Sequence, residues 1–289
     1  MTRKKSAAAA LAEQAAFDNG TLPPQVPGLI WTTNHVECHQ EWLLPGFIPR
    51  GHLVILEGRK GTGKTTFAAA VAASCAGGPV IPGWEGPRQG RVLWVPGEES
   101  YEGVTAPRLT HAEVPEGRFA TWRVPEDDGK SRRPVLPPDI EQLADIIWKA
   151  HIVLIVLDPF ACLAASTIDL IQEQSCRAYL DPLGSLCAET NCTALLLRNL
   201  KKGIGGDVRD AGRGSGTIGD VARSILRCDE HPHQKGMNVL SCVAINFGKP
   251  GAIGWEASRL PFERATFFQQ HRNTIHSRSA ISMSSCNIL

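Results

Sequence analysis

One octapeptide constrains the fold of this chain more than any other feature. It reads Gly58-Arg59-Lys60-Gly61-Thr62-Gly63-Lys64-Thr65 and matches the pattern GxxxxGK[ST] in full. A buried apolar strand is predicted before it, at residues 53–56, and an alanine-rich helix after it, at Lys64–Ala76. This strand–loop–helix context favours a loop that holds phosphate over the alternative, a plain glycine-rich turn.

The residue types in this phosphate loop suit a nucleotide. Glycines allow consecutive backbone N–H groups to point at one anion, and the amino end of the following helix adds its dipole. The Lys64 ammonium is expected to neutralise the β- and γ-phosphates, and the Thr65 hydroxyl to bind Mg²⁺. Thr66 is placed to reach the α-phosphate. The loop from Gly58 to Thr66 therefore predicts a site for ATP and Mg²⁺.

The composition is that of an ordinary globular protein. The chain has 289 residues, 43% of them hydrophobic and 20% charged, and its net charge is +1. These values exclude collagen, coiled coil and full disorder, and a chain of this length can bury a large core. No apolar run is long enough to span a bilayer, and the N-terminal segment lacks the apolar stretch of a signal peptide. We therefore predict a cytoplasmic protein with no membrane partner.

The nine cysteines do not suggest a disulfide framework or a zinc site. They are spaced singly, no CxxC pair occurs, and an odd number cannot pair completely. His35, Cys38 and His39 could bind a metal, but structural zinc needs four ligands and no second cluster has suitable spacing. Free cysteines in a reducing compartment are the prediction.

Strand and helix patterns alternate along the chain after the phosphate loop. Strands are predicted at residues 91–95, 152–157, 193–197, 238–245 and 252–256. Helices are predicted at residues 139–150, with Asp139 as N-cap, and at 169–190, with a break near Pro182. Alternation of this kind predicts an α/β fold whose mainly parallel central sheet is flanked by helices. Residues 1–41 are expected to form a leader and linker, residues 42–262 the α/β domain, and residues 263–289 a disordered basic tail.

Acidic residues follow two of the predicted strands. Asp158 comes directly after the apolar run at residues 152–157, at the edge of the sheet where ligands bind, and is expected to support Mg²⁺. A turn-forming aspartate before a proline is the alternative. Glu98 and Glu99 follow the strand that ends at Val95, and one of them could polarise the water that attacks the γ-phosphate. Glu98 is the first choice and Glu99 the second, with two solvated glutamates as the alternative.

Several segments resemble the RecA-like ATPases of the RepA type, which are hexameric replicative helicases of plasmids and phages, and their AAA family ATPase relatives. Over residues 42–260 the similar segments are, in order, residues 42–51, the phosphate loop, residues 97–100, 158–160, 177–188, 198–202, 214–216 and 222–224. The resemblance implies a RecA-like P-loop fold, ATP hydrolysis with Mg²⁺, and a homo-oligomeric ring, a hexamer in that family. It also implies action on single-stranded DNA, as a helicase or as the ATPase of a mobile-element replication system.

At two positions the chain departs from the pattern of that family. Asn199 stands where the family usually has a histidine that senses the γ-phosphate, and asparagine can form a hydrogen bond there but carries no charge. Ala244 stands where the family often has a lysine that reaches the nucleotide of the neighbouring subunit. Arg223 is then the remaining candidate for a basic finger, with a plain surface arginine as the alternative.

The glycine-rich loop at residues 201–217 carries four cations. In a ring of RecA-like subunits such loops face the central channel, where the cations can follow a phosphodiester backbone. No aromatic residue stands among them, so base stacking is not predicted. A surface loop without a partner is the alternative. The cations are Lys201, Lys202, Arg209 and Arg213.

Two other functions remain open at this point. A small-molecule kinase would use the same phosphate loop, but it needs a substrate pocket and a lid, and the sequence shows no arginine-rich lid motif. A non-catalytic nucleotide-binding switch is suggested by Asn199 and Ala244, because both replace residues that act in hydrolysis in the similar family.

Overall fold

The computed structural model describes residues 27–29, 39–200, 215–247, 252–257 and 265–269. The chain divides into two compact units, Met1–His39 and Gln40–Leu289. Of the first unit only residues 27–29 and His39 are described, and every described helix and strand belongs to the second.

The described residues form thirteen strands and five α-helices. The strands are β1 (Trp42–Leu44), β2 (Ile48–Pro49), β3 (Leu53–Gly58), β4 (Arg91–Pro96), β5 (Phe119–Ala120), β6 (Val124–Pro125), β7 (Ser131–Arg132), β8 (Ile152–Asp158), β9 (Thr193–Asn199), β10 (Ser224–Glu230), β11 (Met237–Ile245), β12 (Ala252–Ala257) and β13 (Ala265–Gln269). The helices are α1 (Lys64–Ala76), α2 (Ala106–His111), α3 (Ile140–Ala150), α4 (Glu173–Thr190) and α5 (Ser215–Val221). A π-helical turn at Tyr101–Thr105 leads into α2, and a 3₁₀ turn at Phe160–Leu163 follows β8.

Nine strands form one sheet in the order β13-β12-β11-β10-β3-β9-β8-β4-β5. The six strands from β10 to β5 in this order are parallel, and β11, β12 and β13 extend the sheet with antiparallel pairs. The predicted α/β fold with a mainly parallel central sheet is confirmed. Because β9 lies between β3 and β8, the strand before the phosphate loop does not pair with the strand that ends in Asp158.

Side chains of β3 alternate between two hydrophobic cores. Val54 and Leu56 pack in the core that contains α1, whereas Leu53 and Ile55 pack in the core that contains α3 and α4. All six residues of β3 are buried, as expected of a central strand covered on both faces. Among the described helices, none is long and apolar enough to cross a membrane.

Three details differ from the sequence predictions. Helix α4 begins at Glu173 and continues through Pro182, so the predicted break is wrong. Asp139 occupies the N-cap position of α3 but does not cap it. Its carboxylate instead accepts two hydrogen bonds from Arg132, at 2.7 and 2.8 Å, and one from the Val135 amide, at 2.7 Å. Strand β13 lies within residues 263–289, for which the sequence predicts disorder, and it pairs with β12 over five residues.

Candidate nucleotide-binding site

The phosphate loop joins the carboxyl end of β3 to the amino end of α1. Gly61 and Gly63 have φ angles of 87° and 79°, in the left-handed region that favours glycine. Gly58 is constrained by packing, because a Cβ atom there would lie 2.4 Å from the carbonyl oxygen of Cys228 on β10. The glycines of the motif therefore fit both the backbone turn and the close approach of a neighbouring strand.

The Lys64 side chain lies across the loop that it follows. Its Nζ atom donates hydrogen bonds to the carbonyl oxygens of Gly58, at 3.0 Å, and Arg59, at 2.8 Å. The residue is only 8% exposed, and this burial lowers the pKa of its ammonium group from the usual value. A phosphate bound at the start of α1 would offer this cation stronger acceptors than two neutral carbonyls.

Thr65 and Asp158 come together although they lie on different elements. The Thr65 hydroxyl forms a hydrogen bond with the Asp158 carboxylate. Burial, and then the charge of Glu99, raise the pKa of Asp158 to about 6, while the bond from Thr65, Arg108 and Lys64 act in the opposite direction. Hydroxyl and carboxylate oxygens are ligands that Mg²⁺ accepts, so this donor set fits the predicted metal.

Glu98 and Glu99 follow β4, whose last residue, Pro96, is paired in register with Asp158, but they have different partners. The amide of Gly97 donates to the carbonyl oxygen of Asp158 at 2.7 Å, which aligns the turn after β4 with the end of β8. Glu98 Oε1 accepts a hydrogen bond from Cys162 Sγ at 3.5 Å. Glu99 Oε2 instead pairs with Arg108 Nη1 at 3.1 Å. The structure thus places both candidate bases at the carboxyl ends of the parallel strands. They differ in their partners, which are a thiol for Glu98 and a guanidinium group for Glu99.

Asn199 ends β9, the strand between the phosphate loop and Asp158. It is paired in register with Gly58, and the amide of the next residue, Leu200, donates to the Gly58 carbonyl oxygen at 3.0 Å. Its side chain is exposed at the carboxyl edge of the sheet. This position would allow the amide group to face a bound nucleotide.

Arg223 lies at the opposite end of the parallel strands, near their amino ends. Its amide donates to the carbonyl oxygen of Leu53, at the amino end of β3, at 3.1 Å. Five residue steps along β3, at about 3.3 Å each, place it about 16 Å from Gly58. The structure therefore does not bring Arg223 to the phosphate loop of its own chain. The four loop cations, Lys201, Lys202, Arg209 and Arg213, lie outside the described residues.

Three residues at the site were not predicted from the sequence. Arg108 pairs with Glu99, Cys162 contacts Glu98, and Arg133 donates a hydrogen bond to the carbonyl oxygen of Gly97. None of them belongs to a contiguous motif, because each comes from a segment that folds back over the ends of β4 and β8. Only the contacts of the folded chain reveal them.

Comparison with known families agrees with this geometry. A family model described as an AAA domain matches residues 32–204, which is more than half of the chain. The chain belongs to this family. The AAA domain is a P-loop ATPase domain, so membership indicates nucleotide binding and ATPase activity. The matched range of the AAA domain includes the phosphate loop, Glu98, Asp158 and Asn199, but not Arg223. No curated protein matches the chain at a significant level.

A buried ion cluster lies next to the phosphate loop of the AAA domain. Glu57, which precedes Gly58, is 2% exposed and accepts hydrogen bonds from Arg198 on β9 and Arg227 on β10. The Arg227 Nε to Glu57 Oε1 distance is 2.9 Å. A buried carboxylate is costly unless it is paired, and here two guanidinium groups pair it. The cluster therefore joins the ends of three adjacent strands.

Replacing Glu57 with glutamine is expected to lower the free energy of unfolding by about 3 kcal/mol, because it leaves two arginines without their carboxylate. Urea denaturation of the full chain measures this. The matched control is Asp145→Asn in the exposed pair of Lys149 with Asp145, whose atoms are 2.6 Å apart, where the expected change is below about 0.5 kcal/mol. Equal small changes in both variants would show that the buried cluster does not stabilise the fold.

Proposed function

We propose that the chain hydrolyses ATP in a Mg²⁺-dependent reaction and couples this to single-stranded DNA as a homo-oligomeric ring, like the RepA-type helicases that its motifs resemble. The hydrolytic part is supported by one observation above all. The phosphate loop with its buried Lys64 shares an edge of the sheet with Asp158, which is hydrogen-bonded to Thr65.

In this proposal Lys64 releases the carbonyl oxygens of Gly58 and Arg59 and binds the β- and γ-phosphates. Thr65 and Asp158 would hold Mg²⁺, which supplies positive charge to the phosphate oxygens when bound. Asn199 would donate a hydrogen bond to a γ-phosphate oxygen. Each of these groups neutralises or orients charge that develops during phosphoryl transfer.

Glu98 is the proposed general base. It would accept a proton from the attacking water as the water oxygen bonds to the γ-phosphorus and the bond to the ADP oxygen breaks. Its contact with Cys162 Sγ, a weak donor, leaves the carboxylate able to bind water. The pairing of Glu99 with Arg108 is the observation that favours Glu98 over Glu99.

The DNA and ring parts rest on the sequence resemblance. The glycine-rich loop begins two residues after Asn199, so its cations would be joined to the strand that Asn199 ends. Arg223 lies about 16 Å from the phosphate loop of its own chain and would act on a nucleotide only in a neighbouring subunit. A ring supplies such a neighbour.

A turnover assay with and without single-stranded DNA, combined with a mass measurement, tests the whole proposal. We expect ATP hydrolysis that DNA stimulates and a mass of several subunits. A nucleotide-binding switch would bind ATP without turnover, and a small-molecule kinase would consume ATP only with an acceptor. If the protein is a monomer whose ATP hydrolysis does not change when DNA is added, the ATPase part of the proposal stands and the helicase part is contradicted.

Alanine at Lys201, Lys202, Arg209 and Arg213 is expected to weaken DNA binding and to flatten its salt dependence, because fewer counterions are released. The measurement is the slope of log affinity against log salt for single-stranded DNA. Basal hydrolysis should persist. Because Lys201 and Lys202 closely follow Asn199, Arg209 and Arg213 are also changed as a separate pair. An unchanged slope in the quadruple variant would contradict a DNA-tracking role of the loop.

A further inference from the structure

We propose that Arg108 is a positioning residue of the magnesium site, which holds Glu99 beside Asp158 so that Glu99 accepts hydrogen bonds from metal-bound water. The inference rests on the proposed function, because it concerns the same site. It gives the two adjacent glutamates different roles, with Glu98 toward the attacking water and Glu99 toward the metal.

The ion pair itself is the first support. Arg108 Nη1 lies 3.1 Å from Glu99 Oε2, and the Arg108 side chain is 21% exposed while that of Glu99 is 50% exposed. The arginine is thus the more fixed partner, and the carboxylate is the partner that still faces solvent. A half-exposed carboxylate anchored at one oxygen keeps its second oxygen available for water.

The backbone around this pair is also anchored. The Ser100 hydroxyl accepts a hydrogen bond from the Gly103 amide at 3.1 Å, which fixes the chain directly after Glu99. Arg108 belongs to α2, whose next residue, Leu109, is completely buried. Both residues of the ion pair therefore belong to segments that other contacts hold in place. The pair can for this reason fix the position of the Glu99 carboxylate.

Charge balance at the site is the second support. Pro96, the last residue of β4, is paired in register with Asp158, and the Gly97 amide donates to the Asp158 carbonyl oxygen at 2.7 Å, so Glu99 leaves β4 next to the end of β8. Two adjacent carboxylates repel each other unless a cation lies between or beside them. Arg108 bonds to Glu99 and leaves the Asp158 carboxylate to Thr65, so it balances the charge without occupying the proposed metal ligand.

This arrangement suits magnesium in particular. Mg²⁺ retains several waters in protein sites and is held by one or two carboxylates together with substrate phosphates. Carboxylates that orient such waters do not touch the ion, yet loss of an outer partner typically weakens metal affinity by about 10- to 100-fold. Arg108 would not contact the metal-bound water itself. It would affect metal binding by holding Glu99 in position.

Equilibrium binding of Mn²⁺ to the full chain in the presence of ADP, followed by electron paramagnetic resonance, tests the inference. Arg108→Gln and Glu99→Gln are each expected to weaken Mn²⁺ binding by about 10-fold. The double variant should lose no more than either single one, because the two residues act as a unit. Arg108→Lys keeps the charge and should retain part of the affinity.

Two further measurements keep the result specific. Affinity for ADP in the presence of a metal chelator should stay within about twofold in Arg108→Gln, since the residue acts on the metal side. Arg118→Gln is the matched control, because Arg118 donates to the Gln89 carbonyl oxygen at the opposite end of β4. This control should leave Mn²⁺ affinity unchanged.

The inference is overturned by additive losses in the double variant or by unchanged Mn²⁺ affinity in Arg108→Gln. A loss of metal-free ADP affinity would also overturn it, since Arg108 would then bind phosphate directly. Failure of the proposed function is a different result, in which the unaltered chain binds no ADP with or without Mn²⁺.

Discussion

Replacing Lys64 with alanine is expected to weaken Mg-ATP binding by about 10- to 100-fold and to remove most hydrolysis. A hydrogen bond to a charged group contributes about 1.5–3 kcal/mol, and each 1.4 kcal/mol is tenfold in affinity. The buried ammonium group of Lys64 lies at the start of α1. Within the phosphate loop, all of which the structure describes, no other lysine contacts Gly58 and Arg59 in this way. Fluorescence titration with a labelled nucleotide and a phosphate-release assay measure both effects.

The control for this variant is Lys149→Ala, which removes an exposed lysine that pairs with Asp145 on α3. It should change neither binding nor turnover. Thermal unfolding must show that Lys64→Ala is folded. A folded variant with unchanged turnover would refute the assignment of the phosphate loop.

Replacing Glu98 with glutamine is expected to leave ATP binding intact and to lower the hydrolysis rate by about 10²-fold or more. The amide keeps the size and position of the carboxylate but cannot accept the proton of the attacking water. Single-turnover hydrolysis separates this effect from product release. Binding is measured in parallel on the same protein.

Glu99→Gln is the comparison for Glu98→Gln, because the two glutamates are adjacent and differ in their partners. At saturating Mg²⁺ it should hydrolyse ATP much faster than Glu98→Gln, since Glu99 is paired with Arg108 and faces the metal side. If Glu99→Gln is the inactive variant, the general base is Glu99. If both variants turn over normally, the base lies elsewhere.

Parts of the site could be predicted where short stretches of consecutive residues determine the structure. The phosphate loop is a contiguous run whose glycines and lysine specify one backbone turn and one charge. Asp158 and Glu98 were predictable because each follows an apolar strand, and parallel strands end at a common edge. Their roles in hydrolysis stay predictions, since only the variants above test them.

Other features could not be predicted because they depend on contacts between distant segments. The pairing of Glu99 with Arg108 depends on how the π-helical turn and α2 fold back over β4. Strand β10 was missed because charged residues such as Arg227 interrupt its apolar pattern. In the folded chain Arg227 donates hydrogen bonds to Glu57 on β3. The sequence of β10 alone gives no sign of this partner.

The pairing of β10 with β3 has a mechanical consequence. Five consecutive residue pairs join the two strands, from Ser224 with Val54 to Cys228 with Gly58, and the Glu57 cluster bonds them at one end. Arg223 immediately precedes this ladder, whereas Gly58 stands at its far end. Because the Arg223 amide also donates to the Leu53 carbonyl oxygen, we expect a displacement of the phosphate loop along β3 to move the backbone of Arg223 as well, so that the carboxyl and amino ends of these strands respond to a ligand together.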